Sequence, residues 1–159
     1  MKDLLEKLDT QWKQENLIHI NPESKTGLIH YENQHDIIIP SDFKKYFLSL
    51  NGSNDYDENF FRFYPLKNVE KFYKKFHDWN GFPDYSTLAH SNSMIKNLFV
   101  FSDFQFHMFS YAAEFSKLNK NQSQIFAISG NKFEIVAKSF SEFLQLYFDD
   151  SPILFLDGL

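Results

Sequence analysis

The sequence predicts an α+β fold, a mainly antiparallel sheet of four to six strands flanked by helices. Three observations point there. Two segments, Ser41–Leu50 and Ser139–Tyr147, carry apolar residues at helical spacing behind polar start signals. Between residues 98 and 138, short apolar stretches alternate with polar turns, the pattern of antiparallel strands met in sequence order. Hydrophobic residues make up 43% of 159, enough for one core in one domain spanning residues 1–159. Helices gathered around such a sheet make the α+β class.

The elements follow in order. In MKDLLEKLDTQWKQEN, Leu4, Leu8 and Trp12 lie four apart with Leu5 beside them, so a docked amphipathic helix is expected over residues 2–15. Gly27-Leu28-Ile29-His30-Tyr31 reads as strand on local propensity alone. In Ile37–Ser53, Pro40 ends the apolar run because it donates no amide and disfavours helix at Ile39. Ser41 is the expected cap of the next helix. Phe43, Tyr46, Phe47 and Leu50 form its buried stripe, with Asp42, Lys44, Lys45 and Ser49 largely opposite. Asn51-Gly52 stops it, since glycine takes the left-handed conformation without penalty.

After an acidic loop, Asn54–Asn59, FFRFY reads as a strand. A helix is expected over about Asn68–His77, burying Val69, Phe72, Tyr73 and Phe76. The loop Asp78–Thr87 holds the turn residues Asn80, Gly81 and Pro83. Leu98–Phe104 and His107–Phe115 read as paired strands, Asn119–Ser123 as a turn and Ile125–Ile128 as a strand. Ser129-Gly130-Asn131 is the next turn, and Phe133–Lys138 closes the meander. Ser139 and Glu142 make a capping box, each side chain serving the other's backbone amide. Phe140, Phe143, Leu144 and Tyr147 are the stripe of that last helix, and Pro152 marks its limit.

Composition excludes several functions. There is no cysteine, hence no disulfide and no thiolate chemistry. The N-terminal stretch lacks the apolar core of a signal peptide, and no apolar run has bilayer length, so the cytoplasm is the expected compartment. A net charge of −5 argues against nucleic acid as a partner. The Lys67, Lys71, Lys74 and Lys75 cluster reads as the solvated side of a helix. Twenty Phe accompany fifteen Lys, thirteen Asn and a single arginine, Arg62. That joint bias fits the codon usage of an AT-rich genome, so the aromatic content alone does not specify a recognition surface.

No catalytic signature is present: no G-x-S-x-G, H-E-x-x-H, P-loop or G-x-G-x-x-G. Of the histidines His19, His30, His35, His77, His90 and His107, only two have suggestive neighbours. His77-Asp78 are adjacent in sequence, and such neighbours usually point apart. Ser102-Asp103 with His107 supplies triad chemistry, but neighbours on one strand alternate faces, so coincidence is the reading taken. The acidic loop residues Asp55, Asp57 and Glu58 do not match a calcium loop and are read as solvated charge that can face a basic partner. No metal and no cofactor is expected. Asp103 interrupts an apolar strand and needs satisfied oxygens, either in a structural role or in a groove. Trp79, Phe82 and Tyr85 sit in a turn-rich loop as either binding anchors or a lid over the core.

The apolar-Pro step, aromatic helix and Asn51-Gly52 turn resemble the core motif of the SUKH superfamily, which includes a fungal cell-wall-assembly regulator domain and many bacterial immunity proteins. FFRFYPL (60–66), Asn68-Val69-Glu70, LFVFSDFQFHMFSYAA (98–113) and IVAKSFSEFLQLY (135–147) are similar to its later elements, in the same order. The resemblance covers most of residues 24–150. It implies a SUKH-like fold and places a short helix, capped by Ser24, where local propensity favoured strand. It implies a non-enzymatic binding module, an immunity protein whose partner is a cognate toxin. The partner-binding residues expected on that reading are Asp55, Asp57, Glu58, Trp79, Phe82 and Tyr85. An interaction scaffold in cell-wall or stress signalling is the rival within the family; an enzyme or small-ligand receptor with an unrecognised site is the rival outside it.

Overall fold

A computed structural model of the chain describes residues 1–17, 20–118 and 123–156. His19 and most of the expected 119–123 turn lie outside the described residues. Helix α1 (Lys2–Gln14) buries Leu5, Leu8 and Trp12, close to the expected stripe. Residues 25–35 are helical: α2 (Lys25–His35) starts at Ser24, whose hydroxyl accepts the Gly27 amide at 2.9 Å. The cap therefore decides against the strand propensity of GLIHY. Helix α3 (Ser41–Ser49) covers the expected segment, but Ser41 is not its cap. Pro40 holds the cap position and its carbonyl accepts the Lys44 amide, so Ser41 is the first helical residue.

The stop after α3 uses both residues of Asn51-Gly52. Asn51 takes the left-handed conformation (φ 57°), and its side chain bonds the Asn21 carbonyl and the Leu66 amide. Gly52 (φ 92°) lies where a Cβ would stand 2.4 Å from the Pro65 nitrogen. Glycine is required there for close approach as well as for dihedral freedom.

Six strands form one antiparallel sheet among the described residues: β1 (Phe61–Phe63), β2 (Glu70–Lys71), β3 (Phe99–Phe104), β4 (Phe109–Ala113), β5 (Ile125–Ser129) and β6 (Lys132–Ala137). The order is β1-β3-β4-β5-β6, with β2 also beside β3. The fold is α+β, as the sequence predicts. One expected helix is shortened: Glu70 and Lys71 pair with Val100 and Phe99, leaving α4 only Phe72–Phe76. Phe72 and Phe76 are buried there, whereas Tyr73 faces solvent. Helix α5 (Ser86–Ser91) occupies part of what reads as loop.

Strands β4 and β5 are buried along their whole length, so helices cover both sheet faces. On one face, Phe43 of α3 and Phe143 of α6 (Phe140–Phe148) each lie within 5.3 Å of the Phe101 ring. Tyr111 faces Phe143, so its neighbour Ser110 points the other way, toward Tyr85. Phe72, Phe76 and Tyr85 cover that second face. Ser139 caps α6 through the Glu142 amide as expected, while the Glu142 carboxylate accepts the amide of Lys138, one residue upstream of the cap.

Candidate functional site

At one end of the sheet a buried carboxylate organises several outward-facing groups. Strand β1 places Arg62 directly across from Asp103 on β3, so the two side chains share a face. Asp103 is fully buried. Its Oδ2 accepts Arg62 Nε at 3.2 Å, Arg62 Nη2 at 3.1 Å and the Tyr64 hydroxyl at 2.6 Å. Its Oδ1 accepts the Tyr56 hydroxyl and, at 3.2 Å, the backbone amide of His107. A buried carboxylate with both oxygens satisfied and a guanidinium beside it escapes the cost of an isolated charge. The Arg62 guanidinium in turn lies against the rings of Tyr56 and Tyr64, at 4.8 and 5.4 Å from their centroids. Burial first, and then the adjacent Asp103, hold the Tyr56 and Tyr64 hydroxyls protonated well above the ordinary phenol range.

Asp103 also pins a strained turn. Gln105, Phe106 and His107, at the tip of the β3–β4 hairpin, all take positive φ (45°, 54° and 68°). Three consecutive side-chain-bearing residues in the left-handed region cost roughly 1–2 kcal/mol each. The His107–Asp103 bond holds one end of the turn, and a 3.0 Å bond from the Gln105 amide to the Phe60 carbonyl holds the other. The result is a projecting Phe106, 75% exposed and packed on the Tyr56 ring at 4.6 Å.

The neighbouring loop closes on the same hairpin. Trp79 packs on the His107 ring at 5.2 Å and donates its indole N–H to the Pro83 carbonyl at 2.8 Å. Pro83 reaches the β5–β6 turn, where a Cβ on Gly130 would meet it at 3.4 Å. Phe82 stands out from this loop, 83% exposed. Phe60, Phe82 and Phe106 therefore protrude at one end of the sheet, with the acidic residues Asp55 and Glu58 exposed in the adjoining loop. Single exposed hydrophobics are ordinary; three phenylalanines on loops anchored to one hairpin make a candidate recognition feature.

Of the six expected partner-binding residues, Asp55, Glu58 and Phe82 are exposed and Trp79 is half-buried as a prop under the loop. Asp57 and Tyr85 must be corrected, because both are buried and serve the core. Asp57 accepts the Tyr147 hydroxyl at 2.6 Å and the Phe61 amide at 2.9 Å, and burial pushes its carboxyl up to about 6. Tyr85 donates to the His107 carbonyl at 2.7 Å, beneath the hairpin. Phe60 and Phe106 were missed; exposure at strand ends leaves no periodic signal. Arg62 and Tyr64 were missed as partners of Asp103, although their i, i+2 spacing, with Tyr64 just past the end of β1, is consistent with one shared face.

The Ser102, Asp103 and His107 set does not make a triad. Ser102 donates to the Arg62 carbonyl, and His107 Nδ1 lies 3.9 Å from Asp103. His77 and Asp78, by contrast, do meet at 2.8 Å, on the surface. Among the described residues no cluster of three or more potential ligands could hold a metal, and no helix is long and apolar enough to cross a membrane.

The model of the SMI1 / KNR4 family (SUKH-1) matches residues 22–146. The chain belongs to this family. The SUKH-1 match begins ahead of α2 and ends within α6, so it takes in the whole sheet and the Asp103 hairpin, while α1 precedes it. No match is found among curated proteins. Within this SUKH-1 chain, the protruding phenylalanines and the network beneath them are the candidate functional surface.

Proposed function

We propose that the protein is a non-enzymatic binding module of the immunity type, which neutralises a cognate bacterial toxin in the cytoplasm by occupying its surface. The observation that carries this reading is the projection of Phe82 and Phe106 from loops that are fastened to the buried Asp103 network. Preformed aromatic anchors on a rigid base suit protein recognition, because little side-chain freedom is lost on docking. Asp55 and Glu58 at the rim supply negative potential that steers a basic partner and speeds encounter. Membership of SUKH-1 supports the reading, since the SUKH superfamily includes many bacterial immunity proteins.

The test is co-expression with toxin domains encoded next to the gene. A cognate toxin should arrest growth alone and fail to do so when this protein is present. Growth arrest that persists with every neighbouring toxin, despite folded protein in the cells, would contradict the immunity role.

A further inference from the structure

The opposite side of Arg62 from the hairpin opens on a polar cleft of about 430 Å³, lined in part by Asn54, Arg62, Tyr64, Lys67, Asn68 and Lys75. Its charge runs against that of the molecule. Its lining sets Arg62, Lys67 and Lys75 against one carboxylate, Glu70, an excess of two positive charges in a chain of net charge −5. The pairing is uneven. Arg62 is committed to Asp103, and Lys74 holds Glu70 at 2.7 Å. Lys75 is half-buried, with its ammonium 4.4 Å from the centre of the Tyr64 ring. Among the described residues it reaches neither a carboxylate within ion-pair distance nor a hydrogen-bond acceptor. Lys67, on the rim, is likewise without an ion pair.

The Lys75 ammonium sits against aromatic rings and is partly desolvated, and burial pulls its pKa down against the opposing charges of Asp103 and Glu70. An oxygen anion in the cleft would supply the missing acceptors and counter-charge together. We propose that this cleft is an oxyanion-binding site, taking a carboxylate or phosphate group between Lys75 and Lys67, with the Asn54 and Asn68 amides as further donors. Two sources share that chemistry: a free phosphate-bearing small molecule, and an acidic side chain presented by a protein. The site does not depend on which partner the aromatic end takes.

Amide and lysine NMR signals of the purified protein decide the matter, followed while inorganic phosphate or a hexaglutamate peptide is added at constant ionic strength. Saturable shifts confined to Asn54, Tyr64, Lys67, Asn68 and Lys75 are expected. Saturation by phosphate identifies a free anion as a sufficient ligand, and saturation by the peptide alone identifies protein carboxylates. Lys75→Met should weaken binding about tenfold, the worth of one charge-assisted hydrogen bond. Lys67→Met, at an exposed position and so expected to fold like wild type, should weaken it about threefold and stands alone if the first variant does not fold. Linear, unsaturated shifts in both arms, or saturation unchanged in the variants, would overturn the proposal.

Discussion

Asp57 and Asp103 are both buried carboxylates, yet they are held in different ways. Asp103 has a guanidinium beside it, whereas Asp57 has only a tyrosine hydroxyl and backbone amides. Burial therefore raises the Asp57 carboxyl to about 6, against 3.8 for the free group. Between those values the folded chain binds a proton that the unfolded chain does not, so lowering the pH through this window favours folding. Above pH 6 the carboxylate is ionised in both states and its burial cost is fully present. Asp57→Asn keeps the hydrogen-bonding shape and removes the titration. Urea unfolding at pH 7, 5.5 and 4 should show wild type gaining on the order of 2 kcal/mol relative to this variant as pH falls. A stability difference independent of pH would refute the assignment. Asp103→Ala should instead cost about 3–5 kcal/mol at neutral pH, because Arg62 and two tyrosine hydroxyls lose their shared acceptor. Asp55→Ala, at an exposed position, should stay within about 0.5 kcal/mol by the same measurement.

At the scale of elements, legibility followed how local each signal was. The α3 stripe and the Ser139 start of α6 were readable because capping and periodicity lie within one turn of the residues concerned. The four strands from β3 to β6 were readable because each neighbours the next in sequence. The expected helix over residues 68–77 failed because Glu70 and Lys71 pair with β3, a contact made roughly thirty residues away. Helix α5 gave no warning, being six residues long without a side-chain cap. The inward turn of Asp57 and Tyr85 was hidden for the same reason: their partners, Tyr147 and His107, belong to distant elements. Gly52 offers a test at this scale. Gly52→Ala must place a methyl against the Pro65 backbone at a positive φ, so it should lower the stability measured by thermal unfolding by more than about 1 kcal/mol. An unchanged melting temperature would mean that the α3–β1 connection is looser than described.

Over the whole molecule, a SUKH-1 sheet whose central strands are covered on both faces leaves its outward features at the edges and ends. The aromatic core therefore explains stability, while the proposed recognition would fall to the phenylalanines that the core excludes. The acidic and aromatic loops picked out in the sequence converge on one hairpin, through the Tyr56–Phe106 and Trp79–His107 contacts. Their meeting depends on the strand order, which residue types in each loop do not encode. The most direct test of this account is calorimetric titration of the purified protein with the proposed cognate toxin domain, comparing wild type with the Phe82→Asp, Phe106→Asp double variant. Both side chains are more than 70% exposed, so the variant should fold and melt like wild type. The account predicts that its affinity falls at least a hundredfold, as expected when two anchors are lost from an interface centre. A folded variant that binds as tightly as wild type would contradict it.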